Sequence, residues 1–195
     1  MSGHWLRGGH HGSSSDLLVN NVIQLLKVKE GAVVADLGSG PGRFTIPIAR
    51  LVGPNGKVIA VDLDEESLEE VMRAARAAGL NNIEVVRGDL SKGIPLPESS
   101  VDVAFMANVL HGLVHSGAGE LVVKDVERVL RPGGLFVVVE FVKGWTPYGP
   151  PAWIRLDPDD VIRLVTTASK LMKLKRGPTP VTQSHYVLEF EKVVG

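Results

Sequence analysis

A glycine-rich turn between two apolar segments constrains this chain more than any other feature. Residues 33–37 read Val-Val-Ala-Asp-Leu, residues 38–42 read Gly-Ser-Gly-Pro-Gly, and a second apolar run starts at Phe44. Glycines let a ligand approach the backbone closely, and a helix that starts after the turn offers unpaired N–H groups. The pattern therefore predicts a buried strand, a tight turn and a helix that together form one side of a ligand site.

A second apolar strand that ends on an acid follows this unit. Residues 58–62 read Val-Ile-Ala-Val-Asp, which places Asp62 24 residues after Gly38. An acid at the end of the neighbouring strand can accept hydrogen bonds from the hydroxyls of a ribose. We therefore expect a pocket for a cofactor that contains adenosine.

The spacing of the glycines argues against a dinucleotide as that cofactor. The dinucleotide fingerprint has the spacing G-x-G-x-x-G. Here the glycines at 38, 40 and 42 have the spacing G-x-G-x-G, and Arg43 stands where the start of the helix would receive a pyrophosphate. An NAD-dependent oxidoreductase is for this reason the disfavoured alternative.

The turn, preceded by Asp36, resembles the first motif of the class I S-adenosylmethionine-dependent methyltransferases. Three more segments match that family in order: Gly88-Asp89-Leu90, the apolar run 101–106, and Leu-Arg-Pro-Gly-Gly-Leu at 130–135. Together these matches extend over residues 32–141. The branch that the chain resembles most is the small-molecule branch of ubiquinone and menaquinone biosynthesis.

The resemblance implies S-adenosylmethionine as the cofactor and a site at the ends of four strands. Asp36 would lie near the amino group of the cofactor, Asp62 would hold the ribose, and Asp89 would accept from the adenine amine. Leu63 and Leu90 would lie beside the adenine ring. The implied cofactor-binding residues are Asp36, Gly38, Ser39, Gly40, Asp62, Leu63, Asp89, Leu90 and Asn108.

Two of these acids also have a local interpretation that needs no ligand. Asp62 is placed to cap a helix that starts near Glu65, and Asp89 is placed to form a turn with Ser91. The ordered spacing of the motifs favours the cofactor site over these separate explanations.

The segment after the fourth predicted strand holds the candidate catalytic residue, His111. Similar positions in small-molecule O-methyltransferases carry a histidine base, and histidine titrates near neutral pH. The alternative is a histidine that caps the next helix or faces solvent. His111 and His115, without an intervening glutamate, are not a convincing metal site, and we predict no metal. Val109 follows Asn108 where amino-methylating relatives have proline, which argues against that chemistry.

The acceptor is predicted to be a small molecule, with an aromatic loop over residues 145–153 as the roof of its site. A methyltransferase that acts on RNA or protein is an alternative, because Lys170, Lys173, Lys175 and Arg176 form a basic cluster. Lysines that protect an exposed sheet edge from pairing with another chain are the preferred explanation of the cluster. A non-catalytic subunit is a third alternative. The acids at positions 36, 62 and 89 argue against it, because a protein without a cofactor site would not need them. The oligomeric state is left open.

The length and composition of the chain favour a single domain with one hydrophobic core. Its 195 residues, 44% of them hydrophobic, suit one core, and the net charge of −1 gives no bulk attraction to nucleic acid. Cysteine is absent, which excludes thiolate nucleophiles. The sequence shows neither an apolar run of membrane-spanning length nor a signal peptide, so we expect a cytoplasmic protein without a membrane segment. Residues 1–15 are predicted to be a flexible leader or a lid, and residues 16–195 a single methyltransferase domain.

The predicted fold is α/β and doubly wound. Strands that alternate with helices imply right-handed crossovers and a parallel sheet. The resemblance implies a mostly parallel, seven-stranded, Rossmann-like sheet with an antiparallel last strand. The pattern predicts a first helix from Asp16, and two closing strands at 171–175 and 185–192 joined by a connector over 177–180, Gly-Pro-Thr-Pro.

Overall fold

The computed structural model describes the backbone of residues 12–194 and the side chains of residues 16–194. Within this range, strands alternate with helices and the chain ends with two adjacent strands. The strands are β1 (Val33–Leu37), β2 (Lys57–Asp62), β3 (Ile83–Arg87), β4 (Val101–Ala107), β5 (Leu130–Phe141), β6 (Met172–Pro180) and β7 (His185–Lys192). The helices are α1 (Gly12–Leu25), α2 (Thr45–Val52), α3 (Glu65–Ala77), α4 (Leu110–His115), α5 (Gly119–Val129) and α6 (Pro158–Ala168).

The strands form one sheet in the order β3-β2-β1-β4-β5-β7-β6. Strands β1 to β5 run parallel, whereas β7 lies between β5 and β6 and is antiparallel to both. The predicted seven-stranded fold with an antiparallel last strand is therefore confirmed. The strand order reverses between β1 and β4, and ligands of such sheets bind beyond the carboxyl ends of the strands at this point.

Apolar side chains cover both faces of the sheet. Val22 of α1 and Ile48 of α2 pack on one face, and Val126 of α5 and Val161 of α6 pack on the other. Because both faces are covered, β4 and residues 135–141 of β5 are almost continuously apolar. Among the described residues, no helix is both long and apolar enough to cross a bilayer.

The ends of the chain differ from the sequence prediction. Helix α1 begins at Gly12, four residues before the predicted start at Asp16. The predicted leader, and its alternative role as a lid, fall mainly on residues 1–11, which lie outside the described range. The predicted division into leader and domain stays a prediction.

The connector predicted over residues 177–180 is wrong, because these residues belong to β6. Proline lacks an N–H, but β6 is an edge strand and needs only one of its sides for pairing. The register with β7 shifts on both sides of Arg176, which accommodates Gly177 and Pro178 within the strand. The sequence also did not predict α4, a helix of six residues directly after β4.

Candidate cofactor and acceptor site

The glycine turn after β1 is bonded to β2 and packs closely on the segment after β4. The N–H groups of Gly38 and Ser39 donate to the carbonyl of Val61 at 2.8 and 3.1 Å. Gly38 has a φ of +77°, and a Cβ added there would lie 2.5 Å from Cγ2 of Val109. Both the conformation and the space require glycine. The backbone conformation of the turn is thus tightly restricted, and the turn lies where the strand order of the sheet reverses.

Asp62, at the end of β2, closes the turn from the other side. Its Oδ2 accepts a hydrogen bond from the N–H of Gly40 at 2.8 Å, and its Oδ1 accepts from the N–H of Asp64 at 2.9 Å. A carboxylate offers about four acceptor positions, so two remain for a ligand. The cap of α3 is Asp64, which accepts from the N–H of Ser67. The helix-cap interpretation of Asp62 is therefore wrong.

Asp36 lies buried beneath the turn, near the end of β1. Its side chain accepts a hydrogen bond from Oγ1 of Thr45 at 2.6 Å. Burial raises the pKa of Asp36 to about 7, the Thr45 bond opposes this shift, and the charge of Asp62 adds to it. A cation bound nearby would favour the ionised form. Asp36 is thus poised to titrate near neutral pH.

Asp89 follows β3 and lies beside the end of β2, since Gly88 N–H donates to the backbone carbonyl of Asp62 at 2.9 Å. Its Oδ1 accepts from the N–H and the hydroxyl of Ser91 at 3.0 and 2.6 Å. These bonds lower the pKa of Asp89, and Lys92 contributes in the same direction. The local turn predicted as an alternative exists, and it keeps the carboxylate ionised next to Asp62.

Asn108 follows β4 in an unusual backbone conformation. Its φ is +58°, a region that asparagine tolerates better than most residues. Its N–H donates to the carbonyl of Val139 at 2.8 Å, which ties it to β5. Its Oδ1 is buried and has no hydrogen-bond partner among the described residues. A buried acceptor without a partner is unfavourable, and a donor on a ligand would satisfy it.

His111 contacts a buried carboxylate that the sequence prediction missed. Oε1 of Glu140 accepts from the N–H of His111 at 3.0 Å, and Oε2 lies 2.8 Å from its Nδ1. The side chain of His111 is 12% exposed and that of Glu140 is 0% exposed. The alternative of a solvent-facing His111 is therefore wrong. A single acid within the apolar end of β5 was the available signal for Glu140.

The segment from 142 to 153 after β5, here called the aromatic strap, is shaped by Arg155. Trp145 and Trp153 in the strap are 87% and 72% exposed. The ring of Trp153 makes an edge contact with the ring of His115, 5.0 Å away. The buried guanidinium of Arg155 donates to four strap carbonyls, those of Val142, Gly144, Tyr148 and Pro150. One side chain thus holds the backbone of the whole strap.

The structure gathers the predicted cofactor residues at the carboxyl ends of β1 to β4. The two residues predicted to lie beside the adenine differ in solvent exposure: Leu63 is 55% exposed, whereas Leu90 is 7% exposed. Two features fit a bound cofactor: the open space at Gly40, where an added Cβ would have no heavy atom within 4 Å, and the unpaired Oδ1 of Asn108. Among the described residues, no cluster of histidine and acidic side chains could hold a metal ion.

Comparison with known proteins places this chain in a family. The model of the family described as methyltransferase domain matches residues 28–184. The ubiquinone/menaquinone biosynthesis C-methyltransferase UbiE of Hahella chejuensis is 35% identical over 121 residues, which are 62% of this chain and 47% of that protein. The demethylmenaquinone methyltransferase of Geobacillus stearothermophilus is 31% identical over 62% of this chain and 50% of its own length. The chain thus spans about half the length of these curated relatives.

Solved structures show the same fold. A SAM-dependent methyltransferase from Aquifex aeolicus superposes with a TM-score of 0.83 and 26% identity, and the match covers 93% of this chain and 94% of that one. The cyclase SpnF superposes with a TM-score of 0.75 at 17% identity, over 97% of this chain and 84% of that one. The second likeness shows the fold alone, and folds of this kind host several chemistries. The reaction has to be argued from the site.

Proposed function

This chain belongs to the family of S-adenosylmethionine-dependent methyltransferase domains, and on that premise we propose that it transfers the methyl group of this cofactor to a small ring acceptor. The observation that carries the proposal is the bond between Gly40 and Asp62. It places a carboxylate with two open acceptor positions at the glycine turn.

The cofactor side uses the residues after β1 to β4. Asp62 binds the ribose hydroxyls through its two remaining acceptor positions, and Asp89, held next to it, accepts from the adenine amine. Asp36 and Oδ1 of Asn108 face the positively charged methionine end, where an ionised carboxylate and an unpaired acceptor are both favourable. When bound, the cofactor supplies an electrophilic methyl group on a sulfonium for an in-line displacement.

The acceptor side lies over the ends of β4 and β5, between His111 and the aromatic strap. Exposed aromatic side chains such as those of Trp145 and Trp153 suit an apolar ring. Two relatives are named for methylation in quinone biosynthesis, which supports an acceptor of this kind. Holding an acceptor in line with the methyl group supplies much of the rate. His111 is the candidate base.

The alternative of a nucleic-acid substrate receives little support from the basic cluster. Lys175 and Arg176 lie on the edge strand β6 and pair with Glu191 and Glu189 of β7 at 3.1 and 3.5 Å. Charged side chains at such an edge prevent pairing with other chains. Location in the cytoplasm stays a prediction.

Transfer of a labelled methyl group from S-adenosylmethionine to a panel of acceptors tests the proposal. The panel contains 1,4-naphthohydroquinone, catechol, unmodified tRNA and a mixture of unmethylated peptides. We expect label on the two ring compounds and none on the tRNA or the peptides. Label on tRNA or peptide alone would contradict the small ring acceptor, and label on none of the four would contradict the proposed activity.

A further inference from the structure

We propose that Glu140 is a positioning residue that holds the ring of His111 so that its Nε2 takes a proton from a hydroxyl of the acceptor. The acceptor class is thereby narrowed to compounds with a phenol or hydroquinone O–H. This inference rests on the proposed function and concerns the same site.

The position of Glu140 is an energetically costly one for a carboxylate. Glu140 is 0% exposed on a central strand, and its neighbours along that part of β5 are apolar. An apolar side chain of similar volume would stabilise such a position at least as well, because burying a charge is expensive. Its cross-strand neighbour Tyr186 donates its hydroxyl to the carbonyl of Leu156 instead. The two hydrogen bonds of the carboxylate both go to His111.

The contact with Glu140 also determines which ring nitrogen of His111 carries the proton. An ionised carboxylate only accepts hydrogen bonds, so Nδ1 of His111 must carry the proton of the neutral ring. The lone pair then lies on Nε2, which makes no hydrogen bond to any other described residue. Glu140 in addition stabilises the imidazolium that forms when Nε2 takes a proton, as the acid of a catalytic triad does.

His111 follows closely after a residue that packs on the glycine turn. The segment 108–111 continues directly from β4, and the side chain of Val109 in this segment packs against Gly38. The bond from the N–H of His111 to Glu140 fixes the first turn of α4 on β5. The base is therefore held on the edge of the sheet that carries the cofactor residues.

Proton transfer to His111 accompanies the displacement at the methyl carbon. The acceptor hydroxyl gives its proton to Nε2 of His111 as the electron pair on oxygen, or on a conjugated ring carbon, forms a bond to the methyl carbon. The bond between carbon and sulfur breaks, and its electron pair stays on the sulfur of S-adenosylhomocysteine. After methylation at a ring carbon, loss of the ring proton to solvent restores the aromatic ring. In either case Nε2 of His111 then releases its proton to solvent.

Two substitutions separate this role from a purely structural one, in which Glu140 only caps α4. Glu140→Gln keeps an acceptor for the N–H of His111 and removes the charge. His111→Asn keeps a donor for Glu140 and removes Nε2. Glu189→Gln is the matched control, because Glu189 is also a buried acid but lies on β7 paired with Arg176.

Activity is measured at about pH 8 with two acceptors. The hydroxyls of 1,4-naphthohydroquinone are protonated at this pH and need a base, whereas the thiol of benzenethiol is already largely ionised. With the hydroquinone, we expect kcat to fall about 100-fold in His111→Asn and about tenfold in Glu140→Gln, the usual scale for a lost base and for its weakened partner. With benzenethiol, both variants should stay within about threefold of the unchanged protein. Calorimetric affinity for S-adenosylhomocysteine should be unchanged in all variants.

A spectroscopic measurement tests the geometry without any acceptor. Nitrogen NMR of the histidine rings should show His111 as the tautomer protonated at Nδ1, and Glu140→Gln should mix the two tautomers. A ring protonated at Nε2 in the unchanged protein would overturn the proposal. Equal losses with both acceptors, or no loss with the hydroquinone, would also overturn it. Failure of the unchanged protein to bind S-adenosylhomocysteine would instead contradict the proposed function.

Discussion

The N–H of Gly40 donates to Oδ2 of Asp62 at 2.8 Å, so the glycine turn after β1 is fastened to the end of β2. The same carboxylate accepts from the N–H of Asp64 through its other oxygen. One side chain therefore shapes the turn, and two of its about four acceptor positions are not used by these two bonds.

Replacing this side chain should weaken cofactor binding without unfolding the protein. We expect Asp62→Ala to lower the affinity for S-adenosylhomocysteine about 10-fold to 100-fold, since hydrogen bonds to a charged group contribute about 1.5–3 kcal/mol. Asp62→Asn, which keeps one acceptor oxygen, should lose less. Calorimetry measures both affinities, and circular dichroism checks the fold. An unchanged affinity in folded Asp62→Ala would remove Asp62 from the ribose site.

Asp36 should make the stability of the protein depend on pH. Its pKa in the folded protein is about 7, above the ordinary value of 3.8. Its contribution to the free energy of unfolding is therefore complete below about pH 4 and is lost as the pH rises through about 7. Relative to Asp36→Asn, the unchanged protein should lose stability by up to about 1.4 kcal/mol per pH unit within this window.

Denaturant unfolding of both proteins at several pH values measures this difference. The comparison with Asp36→Asn cancels the contributions of other titrating groups to the pH dependence of stability. One such group is His185, whose pKa is lowered to about 4 by burial. Asparagine can still accept from Oγ1 of Thr45, so the variant should fold. A free-energy difference between the two proteins that does not change with pH would show that Asp36 is already ionised.

Asn108 should be more important for binding than for folding. Glycine adopts the φ of +58° freely, and Asn108→Gly also removes an acceptor whose burial without a partner costs about 1–3 kcal/mol. The stability gained by removing this unpaired acceptor offsets the entropic cost of about 0.5–1 kcal/mol that glycine adds to folding. We expect an equal or higher unfolding temperature, and a smaller rise of that temperature with S-adenosylhomocysteine. Strong destabilisation with an unchanged ligand-induced rise would identify Asn108 as structural.

Arg155 should affect the acceptor rather than the cofactor. Lysine keeps the positive charge of Arg155 but lacks the planar fork that reaches the strap carbonyls. We expect Arg155→Lys to raise the KM for 1,4-naphthohydroquinone about tenfold, because a loosened strap positions the ring less well. Tryptophan fluorescence should shift, and cofactor affinity should stay within about twofold, a difference below 0.5 kcal/mol. A loss of cofactor affinity as large as the change in KM would contradict the assignment of Arg155 to the acceptor side of the site rather than to the cofactor side.

The features that the sequence predicted correctly are local ones. The turn after β1 and the acid that ends β2 are visible because each is written in a few adjacent residues, whose conformation glycine spacing and apolar runs determine. The alternation of strands and helices then predicted a parallel sheet, whereas its seven strands and its antiparallel last strand were implied by the resemblance to the methyltransferase family.

The features that it missed depend on contacts between distant residues. Glu140 reaches His111 across 29 positions because of how α4 lies on β5. Nothing in the local sequence of the strap identifies Arg155 as its support, because the four carbonyls that it binds carry no side-chain signature. Pro178 within β6 is tolerated only because the strand is at an edge, and the order of the strands is not apparent from any one of them.

Calorimetric titration of the unchanged protein with S-adenosylhomocysteine and, separately, with NAD tests the central claim most directly. The site described here predicts one molecule of S-adenosylhomocysteine bound per chain with micromolar affinity, and no measurable binding of NAD. Absence of S-adenosylhomocysteine binding at millimolar concentration, or tighter binding of NAD, would contradict the account.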